Sequence, residues 1–386
     1  MPTLLDYLES EFHTFDETPV SEVDAAVLSQ AAMLNGEGIV PNPPELPKGI
    51  LDRLSAWLAP HASPVRFADF AHAERFEGMF TGLVAADIKR CLFALTASPR
   101  FRDLEVRYFQ RVYDEVSHTQ FMATAYVWRD SFAFVSFAGT DISLAGWREN
   151  LDMTYKPRIE AQRLAREFLE AVAPLVPSRM FVGGHSKGGN LALYAALACT
   201  DDVRNRVERV WCFDAPGFNT ATFRPQDYAR LGEKAARIVS QDSVIGMLLD
   251  CPLEPVAVKS HAAGIDQHSI FTWEIEGNSF VRADRLSDMS RAVRDIAAEW
   301  LSTMDEAQTE RVVDAVCAAI VASGAKDFTD VLAGGQQSWR QLVEASQRID
   351  PVSSEVLSKA VGDVVNIAVK RVGKDVLASL GLQKDR

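Results

Sequence analysis

The sequence is poor in the features that would commit it to a special environment. Its 386 residues include only 5 cysteines, and Cys91, Cys199, Cys212, Cys251 and Cys317 are odd in number and scattered. That spacing makes neither a zinc-ligand pattern nor a disulfide framework, and it predicts mostly buried thiols in a reducing cytoplasm. No stretch reaches the ~18 uncharged apolar residues that a membrane span needs. The opening, Met1 to Glu11, is acidic and lacks a basic segment leading into an apolar one, so no signal peptide is expected. Basic side chains are the scarcer sign, 40 Lys and Arg against 53 Asp and Glu for a net charge of −13. This balance argues against nucleic acid as a partner. There is no internal repeat and no low-complexity tract, and no cofactor or metal is expected.

The rest of the composition is that of an ordinary globular chain, 47% apolar and 24% charged. The length suffices for one large core or two modest ones. A first helical segment is expected over 1–40, where Ser21 is an N-cap with Asp24 three residues on. The run Pro41-Asn42-Pro43-Pro44-Glu45-Leu46-Pro47 excludes regular structure, because proline lacks the donor and fixes φ. It leads into a mostly helical, cap-like or lid-like region, 41–118, with Trp57, Phe67, Phe70, Phe76, Met79 and Phe80 as core or lid residues. From Thr119 the apolar period changes to two. Phe121 to Trp128 and Phe132 to Ala138 read as a hairpin feeding a central strand, and strands then alternate with helices to residue 284, ending with one at Ile270 to Ile275. Such alternation implies a mainly parallel sheet with helices on both faces. Residues 285–386 read as helical and packed on that core, in stretches near 287–302, 305–323, 326–347 and 353–381.

The chemistry concentrates in Phe181-Val182-Gly183-Gly184-His185-Ser186-Lys187-Gly188-Gly189-Asn190, a G-x-S-x-G pattern between an apolar strand and an apolar helix. A serine on such a strand-to-helix turn is crowded by its neighbours, hence Gly184 and Gly188. The turn aims the first amides of the helix, beginning with Lys187, at a developing oxyanion. A serine hydroxyl becomes a nucleophile only when a histidine takes its proton and a carboxylate orients that histidine. With chain order Ser, acid, His, only His261 and His268 remain downstream, and His268, in a polar loop, is preferred as the base. His185 is read as a packing or hydrogen-bonding residue. Among Asp214, Asp242, Asp250 and Asp266 the preferred acid is Asp242, which follows the strand Arg237-Ile238-Val239. Asp214, at the end of the strand after the serine helix, is the alternative. A second oxyanion donor is sought in Gly139-Thr140-Asp141 and assigned to Thr140, with an ordinary strand-end turn as the competing reading.

With these residues in view, Phe137-Ala138-Gly139-Thr140 with Trp147 and Asn150-Leu151-Asp152 resembles the oxyanion segment of class 3, fungal-type triacylglycerol lipases, with Ala138 where an arginine is usual. Gly184-His185-Ser186-Lys187-Gly188-Gly189 is similar to their serine elbow, with Lys187 replacing a leucine. Ser240 to Leu249 looks like their acid loop and His268 to Trp273 like their histidine loop. Leu4-Leu5-Asp6-Tyr7-Leu8, Glu22 to Ser29 and Phe213 to Phe218 further resemble a bacterial group of lipase-like α/β-hydrolases. The resemblance implies an α/β-hydrolase fold with Ser186 as nucleophile, Asp242 as acid, His268 as base, and Thr140 and Lys187 at the oxyanion hole. Lys187 itself is expected to point to solvent, the alternative being a cation that favours an anionic substrate group.

The expected function is a cytoplasmic serine hydrolase acting on a small-molecule or lipid ester through an acyl-enzyme. Two alternatives stay open: the same triad on a thioester, amide or peptide, and a non-catalytic hydrolase fold that binds a partner. The apolar surface over Glu355 to Leu380 is wide enough for burial in the domain, for a homo-oligomer seam, or for weak membrane contact.

Overall fold

The computed structural model describes residues 1–44, 63–324, 345 and 351–379. Eight strands form one sheet in sequential order: β1 (Val65–Arg66), β2 (Glu105–Asp114), β3 (Thr119–Trp128), β4 (Phe132–Phe137), β5 (Met180–His185), β6 (Val207–Phe213), β7 (Ala235–Ser240) and β8 (Pro255–Val258). Strands β1 to β4 pair antiparallel, whereas β4 to β8 run parallel. This is an α/β-hydrolase fold.

Alternation along each strand divides the core between the two faces. On β4, Phe132 and Phe134 join one apolar layer while Ala133, Val135 and Phe137 join the other. On β6, Trp211 and Phe213 face the first layer and Val210 and Cys212 the second. The first layer is covered by α1 (Leu4–Ser10), α2 (Glu22–Ala31) and α3 (Ala85–Ala97). The second is covered by α5 (Glu160–Val172) and α6 (Lys187–Ala198), with α4 (Leu144–Asp152) at its edge. Each fully buried Phe or Leu in these layers contributes about 1.5–3 kcal/mol.

Leu4, Leu8, Phe15, Val23 and Leu28, all within the first 40 residues, are therefore part of the core. Ser21 caps α2, accepting from the Asp24 amide at 3.1 Å while Asp24 returns a bond to the Ser21 amide at 2.7 Å. The same Asp24 receives Arg100 Nε at 2.7 Å and Nη2 at 2.6 Å, and Tyr7 Oη at 2.8 Å. Arg100, fully buried, also donates to the carbonyls of His13 and Pro19 and lies over the Phe15 ring. One guanidinium thus pins the N-terminal segment to the domain.

Two expectations need correction. Glu105–Asp114 lies inside the region read as a helical cap, yet it is a sheet strand paired with β3 through a hairpin turning at His118. Its Val106, Tyr108 and Phe109 are buried, a strand pattern obscured by the helical aromatics before it. Ile270 to Ile275 is likewise not a strand of the main sheet. It is a short 3-10 turn, Ile270–Thr272, followed by the small hairpin Ile275–Glu276 with Ser279–Phe280. Trp57 and most of the helix expected over 326–347 lie outside the described residues; Phe67, Phe70 and Met79 are core.

The C-terminal helices α7 (Asp288–Ser302), α8 (Glu306–Ala322) and α9 (Pro351–Ser379) form two small clusters, Ile296 with Ile367 and Ala368, and Ala315 and Ala319 with Leu357. They are fastened to the sheet domain where Ser290 Oγ donates to the Ser243 carbonyl at 2.7 Å and where Arg148 pairs with Asp314 at 2.6 Å. No helix among the described residues is long and apolar enough to cross a membrane.

Candidate active site

The site forms where β4, β5 and β6 end, the edge at which parallel sheets of this kind hold their ligands. Ser186 caps the N-terminus of α6 with φ +57° and ψ −130°. For a residue with a Cβ that conformation costs on the order of 1–3 kcal/mol and persists only when its surroundings impose it. The imposing contacts are steric. A Cβ on Gly184 would lie 2.2 Å from the Gly188 carbonyl carbon, and one on Gly188 would lie 2.1 Å from the Phe137 carbonyl oxygen. Glycine at both positions lets α6 close on β5 and on the end of β4, and the Ser186 amide is fixed by the Phe213 carbonyl at 2.9 Å.

His268 ends a 3-10 turn, Gly264–His268, beyond β8. Its Nε2 lies 3.0 Å from Ser186 Oγ, and its Nδ1 lies 2.7 Å from Oδ2 of Asp214. A carboxylate only accepts, so Nδ1 carries the proton and Nε2 presents its lone pair to the serine hydroxyl. Asp214 follows β6, is fully buried, and receives Ser243 Oγ on its other oxygen at 2.6 Å. Gly246 leaves room for this pair, since a Cβ there would approach both within 2.8 Å.

The expected acid, Asp242, does not meet His268. Its Oδ2 accepts from Gln267 Nε2 at 2.8 Å, and its amide donates to Gln267 Oε1 at 2.9 Å. Gln267 stands between the two residues, and Asp242 fastens the histidine loop through it, helped by Trp273 Nε1 on the Gln267 carbonyl at 2.8 Å. The place opposite Nδ1 belongs to Asp214. His261 and Asp266 are exposed, and Asp250 pairs through its backbone with Phe218.

His185 supports the histidine loop from below. Its Nε2–H donates to the His268 carbonyl at 2.8 Å, and the two rings lie 4.7 Å apart. Desolvation, followed by the neighbouring His268, pushes its pKa down to about 3. It is therefore a neutral donor at ordinary pH.

Gly139 and Thr140 stand beside the serine, for a Cβ on Gly139 would lie 3.6 Å from Ser186 Cβ. The Thr140 hydroxyl is gripped by the Asn150 carboxamide, with Nδ2 at 2.8 Å and Oδ1 at 3.0 Å. The Thr140 hydroxyl is thus occupied, and Lys187 contributes the first amide of α6, next to Ser186. The Lys187 side chain does not point to solvent. It is buried, with Nζ 2.6 Å from the Gln120 carbonyl, 2.6 Å from Gln120 Oε1 and 2.9 Å from Glu149 Oε2. An ammonium with three acceptors and one countercharge tolerates burial, whereas a lone lysine does not.

Among the described residues no group of three or more His, Cys, Asp or Glu side chains converges as a metal site would. A separate cavity of about 340 Å³ lies between α4 and α8, lined by Trp147, Leu151, Cys317 and Ile320; neither Ser186 nor His268 borders it.

The fold and the serine turn place the chain among the α/β-hydrolases. The Mbeg1-like family model matches residues 95–318, more than half of the chain, and the chain belongs to that family. No curated protein matches it. Among solved structures it is similar to the Rhizomucor miehei lipase propeptide complex, at 15% identity and a TM-score of 0.31, over 41% of this chain and 57% of that one. It is also similar to M37 lipase, at 17% identity and a TM-score of 0.34, over 78% of this chain and 93% of that one. The match thus spans little more than half of the Rhizomucor lipase chain. At such scores neither overlap adds to what the chain's own geometry shows.

Proposed function

We propose that the protein is a serine hydrolase that cleaves carboxylic esters through an acyl-enzyme on Ser186, with His268 as base and Asp214 as acid. The observation that carries this reading is the unbroken relay of two hydrogen bonds, Ser186 Oγ to His268 Nε2 at 3.0 Å and His268 Nδ1 to Asp214 at 2.7 Å, starting from a serine held at φ +57°. His268 takes the hydroxyl proton as Oγ bonds to the ester carbonyl carbon, and the carbonyl oxygen becomes an oxyanion facing the amides of Thr140 and Lys187. The imidazolium, stabilised by Asp214, returns the proton to the departing alkoxide as the C–O bond breaks. Water then repeats the sequence on the acyl-enzyme, releasing the acid and restoring Ser186.

An apolar ester suits the surroundings. Leu83, Ile142 and Ile265 are exposed apolar side chains on the segments that carry Gly82, Thr140 and His268. The test is reaction with a fluorophosphonate probe and hydrolysis of short p-nitrophenyl esters. Wild-type protein should do both and Ser186→Ala neither; probe incorporation that survives Ser186→Ala would refute the assignment.

A further inference from the structure

We infer that Lys187 is a positioning residue whose buried ammonium holds the two arms of the oxyanion pocket in register. This rests on the serine-hydrolase reading above and adds to it a role for the side chain of a residue whose amide faces the oxyanion. Lys187 opens α6, so its own amide belongs to one arm, and its side chain reaches away to grip the supports of the other. Through Gln120 it reaches Gly139, whose carbonyl lies 3.4 Å from Gln120 Nε2. Through Glu149 it reaches α4, where the next residue, Asn150, clamps the Thr140 hydroxyl. Glu149 is itself locked, accepting from the Gln120 amide at 3.2 Å and from the Ala161 amide at 3.1 Å. One cation thereby fixes the distance between the Thr140 and Lys187 amides.

Stability alone does not account for such a pair. Replacing a buried ion pair with apolar side chains of similar volume is often neutral or stabilising, whereas removing one partner is costly. Placement explains it better: a donor displaced from a developing oxyanion loses about 10²- to 10³-fold in rate without changing ground-state binding.

The experiment compares wild type, Lys187→Met, the double variant Lys187→Leu with Glu149→Leu, and Asn150→Ala, measuring Tm, kcat and KM on a p-nitrophenyl ester and the rate of fluorophosphonate labelling. Lys187→Met should lose both Tm and kcat, because Glu149 is left buried without its countercharge. The double variant removes the uncompensated charge but leaves the Gln120 and Ala161 amides without their acceptor, so it should regain part of the Tm lost in Lys187→Met while kcat and labelling stay depressed about 10²-fold at unchanged KM. Asn150→Ala, which cuts the far link without touching the ion pair, should lower kcat with KM and Tm kept, and it decides the matter if the double variant does not fold. Wild-type kcat in the folded double variant, or in Asn150→Ala, would overturn the inference and leave the serine-hydrolase reading standing. A wild type that neither labels nor turns over would overturn both.

Discussion

His185 is the neighbour of Ser186, yet its ring serves the loop carrying His268, and its desolvation has a measurable consequence. Its pKa in the folded chain is about 3, against 6.5 for an unperturbed histidine. Between those values the unfolded chain binds a proton that the folded chain refuses. Stability therefore falls as pH drops through this window, by at most about 1.4 kcal/mol per pH unit. In His185→Gln, which keeps a donor for the His268 carbonyl, the decline should be shallower. Urea denaturation inside and above the window checks this, and an equal decline in both proteins would contradict it. Ser186 and Asp214 also have positive φ, at 57° and 42°. The two residues thus hold left-handed backbone where β5 and β6 end, and His268 bridges them.

At the scale of elements, the serine turn was legible in the sequence because its cause is local. Gly184 and Gly188 are required by collisions with backbone atoms a few residues away or on the adjoining strand. Gly188→Ala should force β4 and α6 apart; the expected outcome is a large loss of soluble yield and Tm, and a well-folded variant with unchanged Tm would refute the close approach. The carboxylate that pairs with His268 was less legible. The loop after β6 opens with Asp214 and the loop after β7 carries Asp242 as its second residue, and distance along the chain from Ser186 favoured the wrong partner for His268. What separates them is distant: Ser243 and Gly246 seat Asp214, while Gln267 diverts Asp242. Lys187 was misread for the same reason, since its partners Glu149 and Gln120 sit on other elements and a lone lysine is rarely buried. Strand alternation, by contrast, showed the sheet from β3 to β8. It missed β2, which followed a helical stretch, and took the turn carrying Phe271 and Trp273 for a strand.

At the scale of the whole molecule, the sheet domain and the C-terminal helices hold separate apolar clusters joined at few points. Helix α9 buries Leu357, Ala360, Ile367 and Ala368 against α7 and α8, while Val361 and Val369 stay partly exposed. Removing residues 351–386 should uncover Ile296, Ala315 and Ala319, seen as aggregation or a rise in apolar dye binding; a soluble truncated chain with unchanged dye binding would show that α9 does not close these clusters. The contacts that hold Ser186, His268 and Asp214 lie outside that helix. The most direct test of the reading as a whole is the rate of fluorophosphonate labelling at Ser186 in the full chain, with Asp214→Asn and Asp242→Asn side by side. Asp214→Asn should slow labelling by up to about 10⁴-fold, the loss known when a triad aspartate becomes asparagine, with Asp242→Asn close to wild type. Equal rates in wild type and Asp214→Asn, or a wild-type chain that never labels, would contradict it.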